Sequence, residues 1–210
     1  MSMNNSLALL GAGGHAKVVL DTLNLVSTYH EISVYDDNPS KLGSEILGYE
    51  VHVPIQQHLN LTMNVHVAIG DNLVRRRLGE EILNGKMNYL VITHPTAIVS
   101  KFSQIGRGVF IAAGAIIAPD ALLDDGVIIN HHSVIDHDCS IGSWTHIAPG
   151  VVLGGGVIVG RNCLIGAGAV ILPGIQIADD VVVGAGAVVT RDVAQGLTVV
   201  GVPANNNRMK

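Results

Sequence analysis

The sequence predicts an α/β N-terminal subdomain of Rossmann-like type over residues 1–93, joined to a parallel β-helix solenoid with a closing segment over residues 94–210. Two observations carry the solenoid. An aliphatic residue falls at every sixth position from Val99 through Ile105 and Ile111 to Val183 and Val189, sixteen times without a break. Four residues beyond it comes a mostly small or β-branched side chain, as at Ala115, Ala121, Ser133, Thr145, Val151, Ala169 and Val181. A helix repeats apolar residues near every 3.6 positions and a half-buried strand every 2, so a period of six fits neither. It fits a coil in which each hexad is one short strand and one turn, the aliphatic side chain facing the axis. The α/β unit rests on a third observation: the apolar run Leu7–Leu10 meets Gly11-Ala12-Gly13-Gly14-His15-Ala16 and passes into a helical stripe of Ala16, Val19, Leu20, Leu23 and Val26.

Taken in order, the chain reads as strand, glycine turn and helix. A second strand, Glu31–Tyr35, ends in Asp36-Asp37-Asn38-Pro39. Val65–Gly70 is a further buried strand, Asp71-Asn72 caps a helix over Leu73–Leu83, and Tyr89–Ile92 is one more strand. The sheet is expected to be parallel. His94-Pro95 opens the solenoid, Val199–Ala204 closes it, and Asn205–Lys210 is expected to be a loose polar tail. A net charge of −5 with 12 basic residues argues against a nucleic-acid surface. Cys139 and Cys163 both sit at the small inward position, which fits core thiols and a reducing cytoplasm. No segment has the pattern of a secretory leader or the length of a membrane span, so a cytoplasmic location without membrane insertion is expected.

A glycine turn between strand and helix lets a backbone approach a pyrophosphate at a helix N-terminus, and an acidic residue closing the next strand can bind ribose hydroxyls. With about 90 residues the α/β unit lacks room for a second mononucleotide half, which turns the expectation from a dinucleotide to a nucleotide sugar. The G-A-G-G-H-A turn, the D-D pair, the Ala68-Ile69-Gly70-Asp71-Asn72 segment, the hexads and the terminal Gly201-Val202-Pro203-Ala204 together resemble one family. It is the bacterial nucleotide-sugar acetyltransferases of the sialic acid O-acetyltransferase and UDP-4-amino-sugar N-acetyltransferase group, within the hexapeptide acyltransferases. The resemblance implies a left-handed β-helix with three hexads per coil, so sixteen hexads make five coils and a fraction. At ~4.8 Å per rung the prism is roughly 24 Å tall. It also implies that Gly13, Gly14, His15, Asp36, Asp37 and Gly70 hold the nucleotide sugar.

His137 lies two residues after Ile135, at an outward position, between Asp136 and Asp138. Flanking carboxylates hold the tautomer and favour the imidazolium, as a general base requires. The family's I-D-H-D motif supplies that base and reads here Ile135-Asp136-His137-Asp138, with Asp138 as modulator. Acetyl transfer from acetyl-CoA then runs by direct attack, without an acyl-enzyme. His146 stands where most other hexads carry an aliphatic, and the family places an acetyl-CoA contact there, a ring donor toward the thioester carbonyl. Gly155, Ala167 and Ala185 match positions along the cofactor arm, and Asn130 a position near the sugar. The expected acceptor is the 4-amino group of a UDP-linked 4-amino-4,6-dideoxy sugar, with a GDP-linked amino sugar or a sialic acid hydroxyl as alternatives. Outward Ile116, Ile128, Val152 and Ile158 predict an apolar patch buried between protomers, and the family forms homotrimers with sites between subunits. No metal is expected. The same solenoid also carries zinc-dependent carbonic anhydrases, for which His132, His137 and His94 are the available ligands. An NAD-linked oxidoreductase and a non-catalytic solenoid are further alternatives, and His131 and His132 have no assigned role.

Overall fold

Leu7, Ala8, Leu9 and Leu10 are apolar on both faces of one strand, so that strand belongs at the centre of a covered sheet. The computed structural model describes residues 6–26, 29, 31–57, 63–85 and 87–206, and places β1 (Ser6–Leu10) there with no accessible surface at Leu9 and Leu10. Helix α1 (Gly14–Leu25) buries Ala16, Val19, Leu20 and Leu23. After it come β2 (Glu31–Tyr35), β3 (Glu45–Ile46), β4 (Tyr49–His52), β5 (Asn64–Val67), α2 (Asn72–Asn84) and β6 (Asn88–Tyr89). The Asp71 carboxylate caps α2 by accepting from the Val74 amide at 2.9 Å. The sheet runs β3-β4-β2-β1-β5-β6. All pairs but one are parallel; β3 and β4 form an antiparallel hairpin through Leu47 and Gly48, both at positive φ, a correction to the wholly parallel sheet expected.

The expected strand Tyr89–Ile92 is two strands with different partners. Asn88–Tyr89 ends the α/β sheet beside β5, whereas Ile92–Thr93 pairs with Phe110–Ile111 and is the first strand of the solenoid, which therefore begins just inside residue 93. From there the chain winds in coils of 18 residues, each rung stacked on the next, as Ile129 pairs with both Ile111 and Ile147. Three parallel sheets form the faces of a triangular prism. The first holds Phe110–Ile111, Ile128–Ile129 and His146–Ile147, the second Ile116–Ile117 and Val134–Ile135, and the third Leu122–Leu123 and Ser140–Ile141. The periodic aliphatics and small residues, including the free thiols of Cys139 and Cys163, fill the interior. Most corners pass through the left-handed region three residues after the inward aliphatic, at Asp120, His132, Asp138, Trp144, Asn162 and Asp180 and elsewhere at glycine. Thr198–Val200 adds the last parallel rung. Asn205–Asn206 then folds back antiparallel on Val199–Val200, so the expected loose tail is ordered at its start; residues 207–210 lie outside the described residues.

Ile128 was expected on an exposed apolar face. It is 1% exposed because α1 and the α/β sheet pack over it, together with Phe110 and Ile92. Ile116, Val152 and Ile158, on the other two faces, remain uncovered. The two units are locked by Arg75 of α2, a fully buried guanidinium. It donates to the Gly126 and Trp144 carbonyls of the solenoid and to the Ile69 and Gly70 carbonyls at the end of the α/β strand, and its fifth partner is Asn72 Oδ1. Trp144 lies at φ 65°, unfavourable for a bulky residue by ~1–2 kcal/mol. Its ring stacks on Tyr89 and fits between Gly79 of α2 and Gly126. Among the described residues no helix is long and apolar enough to span a membrane.

A methyl group at Gly79 would stand 2.3 Å from the Trp144 ring. Glycine to alanine inside a helix ordinarily stabilises by ~0.5–1 kcal/mol, whereas here overpacking reverses the sign. Gly79→Ala is expected to destabilise by ~1–3 kcal/mol in urea unfolding, and a more stable variant would contradict the packing.

Candidate active site

The glycine turn stands open beside the solenoid. Gly13 is the N-cap of α1 and uses no side chain to cap it, and Cβ atoms built on Gly13 and Gly14 would meet nothing. The positive end of this 12-residue helix is therefore open at both glycines. Asp36 shapes this turn. Its Oδ2 accepts from the Ala12 amide and from Lys41 Nζ, both at 2.8 Å, and its Oδ1 from the Asn38 amide at 2.9 Å. Burial works to raise its pKa, but Lys41 and the two amides outweigh it and hold the carboxyl below the usual range. Three donors thus engage the Asp36 carboxylate and tie it to the shape of the turn. Asp37 accepts from the Ile55 amide at 3.1 Å and lies 3.9 Å from Arg77.

Behind the turn lies a neutral histidine cluster. The His15 ring packs edge-on against Phe110 and lies 6.3 Å from the His146 ring, its buried Nε2 making no hydrogen bond to the described residues. Burial, then the fields of His146, His66 and Arg75, lower its pKa to about 3. Asn130 Oδ1 accepts from the His131 amide at 2.9 Å, which fixes the amide so that Nδ2 faces His146 Nε2 at 3.1 Å. His146 Nε2 is then an acceptor, which leaves the proton of the neutral ring on Nδ1. In this arrangement the ring orients the Asn130 side chain. Burial and the Arg75 charge lower His146 to about 4. The structure thus brings Gly13, Gly14, His15, Gly70, Asn130 and His146 together.

It does not bring His137 to them. Asn130 follows the Ile128–Ile129 strand, at the corner between the first and second faces; His137 follows Val134–Ile135, at the next corner. There the His137 side chain is 62% exposed, with Nδ1 2.7 Å from Asp138 Oδ2, while its backbone amide donates to Asp136. The Asp138 hydrogen bond, then the Asp136 charge, raise the imidazole pKa above its ordinary value. Gly155 stacks on His137 one coil later, whereas the exposed Ala167 and Ala185 continue the other corner above His131 and Pro149. Of the candidate zinc ligands, His132 lies over Gly114 at the Asn130 corner and His94 bonds Thr96, and no group of three metal-ligating side chains stands together among the described residues.

The architecture has relatives. Residues 6–82 match the family model for the PglD N-terminal domain, residues 120–155 that for bacterial transferase hexapeptide (six repeats), and residues 156–191 that for the hexapeptide repeat of succinyl-transferase. The GDP-perosamine N-acetyltransferase of Escherichia coli O157:H7 is 31% identical over 153 residues, 69% of this chain and 67% of that protein. The chain belongs to the hexapeptide-repeat nucleotide-sugar acetyltransferases. The UDP-N-acetylbacillosamine N-acetyltransferase of Bacillus subtilis (strain 168) is 36% identical, over 51% of this chain and about half (51%) of its own length. The acetyltransferase domain of PglB from Neisseria gonorrhoeae FA1090, solved with acetyl coenzyme A, superposes with TM-score 0.92 at 34% identity, covering 97% of this chain and all of that one. A histidine-to-asparagine variant of the Caulobacter crescentus perosamine N-acetyltransferase, solved with CoA and GDP-perosamine, gives 0.88 at 34% identity over 96% of each chain. The solenoid is thus the left-handed β-helix of these acetyltransferases.

Sequence reasoning missed Arg75 and Trp144 in this acetyltransferase. A glycine in mid-helix at Gly79 and an arginine on the apolar side of α2 were the available signals. The buried histidines have a consequence for stability. His15, His66 and His146 have folded pKa values of about 3, 4 and 4, below the ordinary 6.5, so the unfolded chain binds more protons than the folded one between pH 6.5 and 4. Their contribution to stability is complete above pH 6.5 and is lost as pH falls through that window. Thermal unfolding should shift to lower temperature from pH 7.5 to pH 5, and a midpoint that is constant or rises would contradict neutral buried imidazoles.

Proposed function

We propose that this chain transfers the acetyl group of acetyl-CoA to the 4-amino group of a nucleotide-linked 4-amino-4,6-dideoxy sugar, with a UDP sugar as the preferred acceptor. The observation that carries the reading is the exposed His137–Asp138 pair, an imidazole with a raised pKa held through Nδ1 so that Nε2 is the nitrogen left to act. Bound acetyl-CoA supplies an activated thioester carbonyl. As the amine nitrogen bonds to the thioester carbon, His137 accepts the proton it loses and Asp138 stabilises the imidazolium; the C–S bond then breaks and coenzyme A leaves as the thiol, carrying the proton that His137 returns. The glycine turn and the first amides of α1 bind the diphosphate, with Asp36 and Asp37 shaping the nucleoside side, and His15, Gly70 and Asn130 line the sugar side. Small side chains at Ala167 and Ala185 leave room for the cofactor arm, along the corner that rises from Asn130 and His131.

Because His137 and the glycine turn occupy different corners, the reading requires two copies: His137 of one protomer meets the turn of its neighbour. The second face supports this, since its outward residues Ile98, Ile116, Val134, Val152, Val170 and Val188 are aliphatic on every rung. A homotrimer gives three such sites. A GDP-linked acceptor is the second reading, supported by the 34% identity to the perosamine enzyme.

The test is release of free thiol from acetyl-CoA with a panel of UDP- and GDP-linked 4-amino sugars. His137→Ala should lower kcat by ~10²–10⁴-fold. The unprotonated ring is the active form and its pKa is raised, so kcat/KM climbs as pH rises through a value above 6.5. Asp138→Asn removes the main cause of that shift and should move the climb to lower pH. A climb that stays in place would separate Asp138 from the base.

A further inference from the structure

Three consecutive glycines, Gly154, Gly155 and Gly156, stand one coil after the His137 corner, and each meets a different constraint. A Cβ on Gly154 would strike the Pro173 ring, and Gly156 sits at φ 70° in the left-handed corner. Gly155 has neither an obstructing backbone nor a left-handed φ. A Cβ there would stand 2.5 Å from Cε1, 2.6 Å from Nε2 and 3.2 Å from Nδ1 of His137. The ring therefore rests in the space that a side chain at 155 would fill. Backbone bonds run up this corner from Pro119 to Asp138, from His137 to Gly156 and from Gly155 to Gly174, and the same corner position is taken in successive coils by Pro119, His137, Gly155 and Pro173. Of these four, only Gly155 leaves a recess.

We infer that Gly155 is a positioning residue for the general base: its missing side chain seats the His137 imidazole flat on the following coil while Asp138 holds Nδ1, so that Nε2 is presented from one orientation. This deepens the proposed function and rests on His137 being the base. An imidazole 62% exposed on its own has several rotamers open to it. The carboxylate of Asp138, itself fixed at φ 60°, holds Nδ1, and the surface at Gly155 lies against the ring. The resemblance to the family implies a different task for Gly155, room for the cofactor arm, and the two make different predictions.

The experiment compares Gly155→Ala, His137→Ala and the double variant in the full-length protein. Gly155→Ala should lower kcat by ~10²-fold, as a displaced catalytic group does. It should also shift the His137 Cε1–H resonance and its titration in the protein without ligands, and leave KM for the nucleotide sugar unchanged. With the ring removed, the added methyl has nothing to strike: the double variant should match His137→Ala in both kcat and thermal midpoint. Three results would each overturn the inference: a kcat within threefold of the parent, a rise in KM for acetyl-CoA alone with the His137 titration unmoved, or a further loss in the double variant. Full activity in His137→Ala would instead remove the base reading, and the ligand-free titration of Gly155→Ala distinguishes that failure from failure of the seating itself.

Discussion

The arrangement of the candidate site depends on one buried cation. Among the described residues Arg75 has no carboxylate partner for its charge and is held by five oxygen acceptors drawn from α2, the end of the α/β strand and two corners of the solenoid. Burial lowers its pKa to about 10, against the fields of Tyr89 and Asp71, and it stays protonated at neutral pH. A guanidinium suits this position because its donors radiate in a fixed plane, so the acceptors must take fixed places around it. Removing it would leave several buried carbonyls without donors, at ~1–3 kcal/mol for each. The Gly70 backbone serves both Arg75 and His146, and His146 in turn meets Asn130. The docking of two folding units and the placement of polar groups beside the glycine turn are one network.

The same side-chain type does two jobs because the fold gives it two environments. Imidazoles enclosed between the α/β unit and the first face of the prism are dehydrated, lie near Arg75 and stay neutral. They contribute shape and directed hydrogen bonds. His137, on an open corner, is pushed the other way: its hydrogen bond to Asp138 and the charge of Asp136 favour the protonated ring. Period-six winding separates these environments by one face of the prism, which is why one chain holds two halves of a site.

Much of this was legible in the sequence because the responsible constraints are periodic or local. The inward aliphatics, the glycine turn opening α1 and the Asp71 cap each announce themselves through spacing, and the solenoid, α1 and α2 follow. What was not legible depends on contacts between distant segments. Ile128 has the same pattern as Ile116, and only the docked α/β unit makes one buried and the other exposed. Tyr89 and Ile92 lie three residues apart in a continuous apolar run, yet they serve different sheets. Leu47-Gly48 lacks the usual asparagine or aspartate of a tight hairpin. Asp36 could be placed beside the turn, but its commitment to Ala12, Asn38 and Lys41 depends on where the Lys41 side chain folds back. Gly155 matched a cofactor position, and its contact with His137 shows only when rungs 18 residues apart are stacked.

The central claim is that the base of one protomer serves the nucleotide turn of its neighbour, and subunit mixing tests it most directly. His137→Ala removes the base; Gly13→Val crowds the turn at a position where a side chain meets nothing in the fold. Each variant alone should be inactive. Co-assembled in equal amounts, they should regain about a quarter of the parent rate, because each mixed trimer holds one site with both halves intact. A mixture as inactive as its two parents would place the whole site within a single chain and contradict the account.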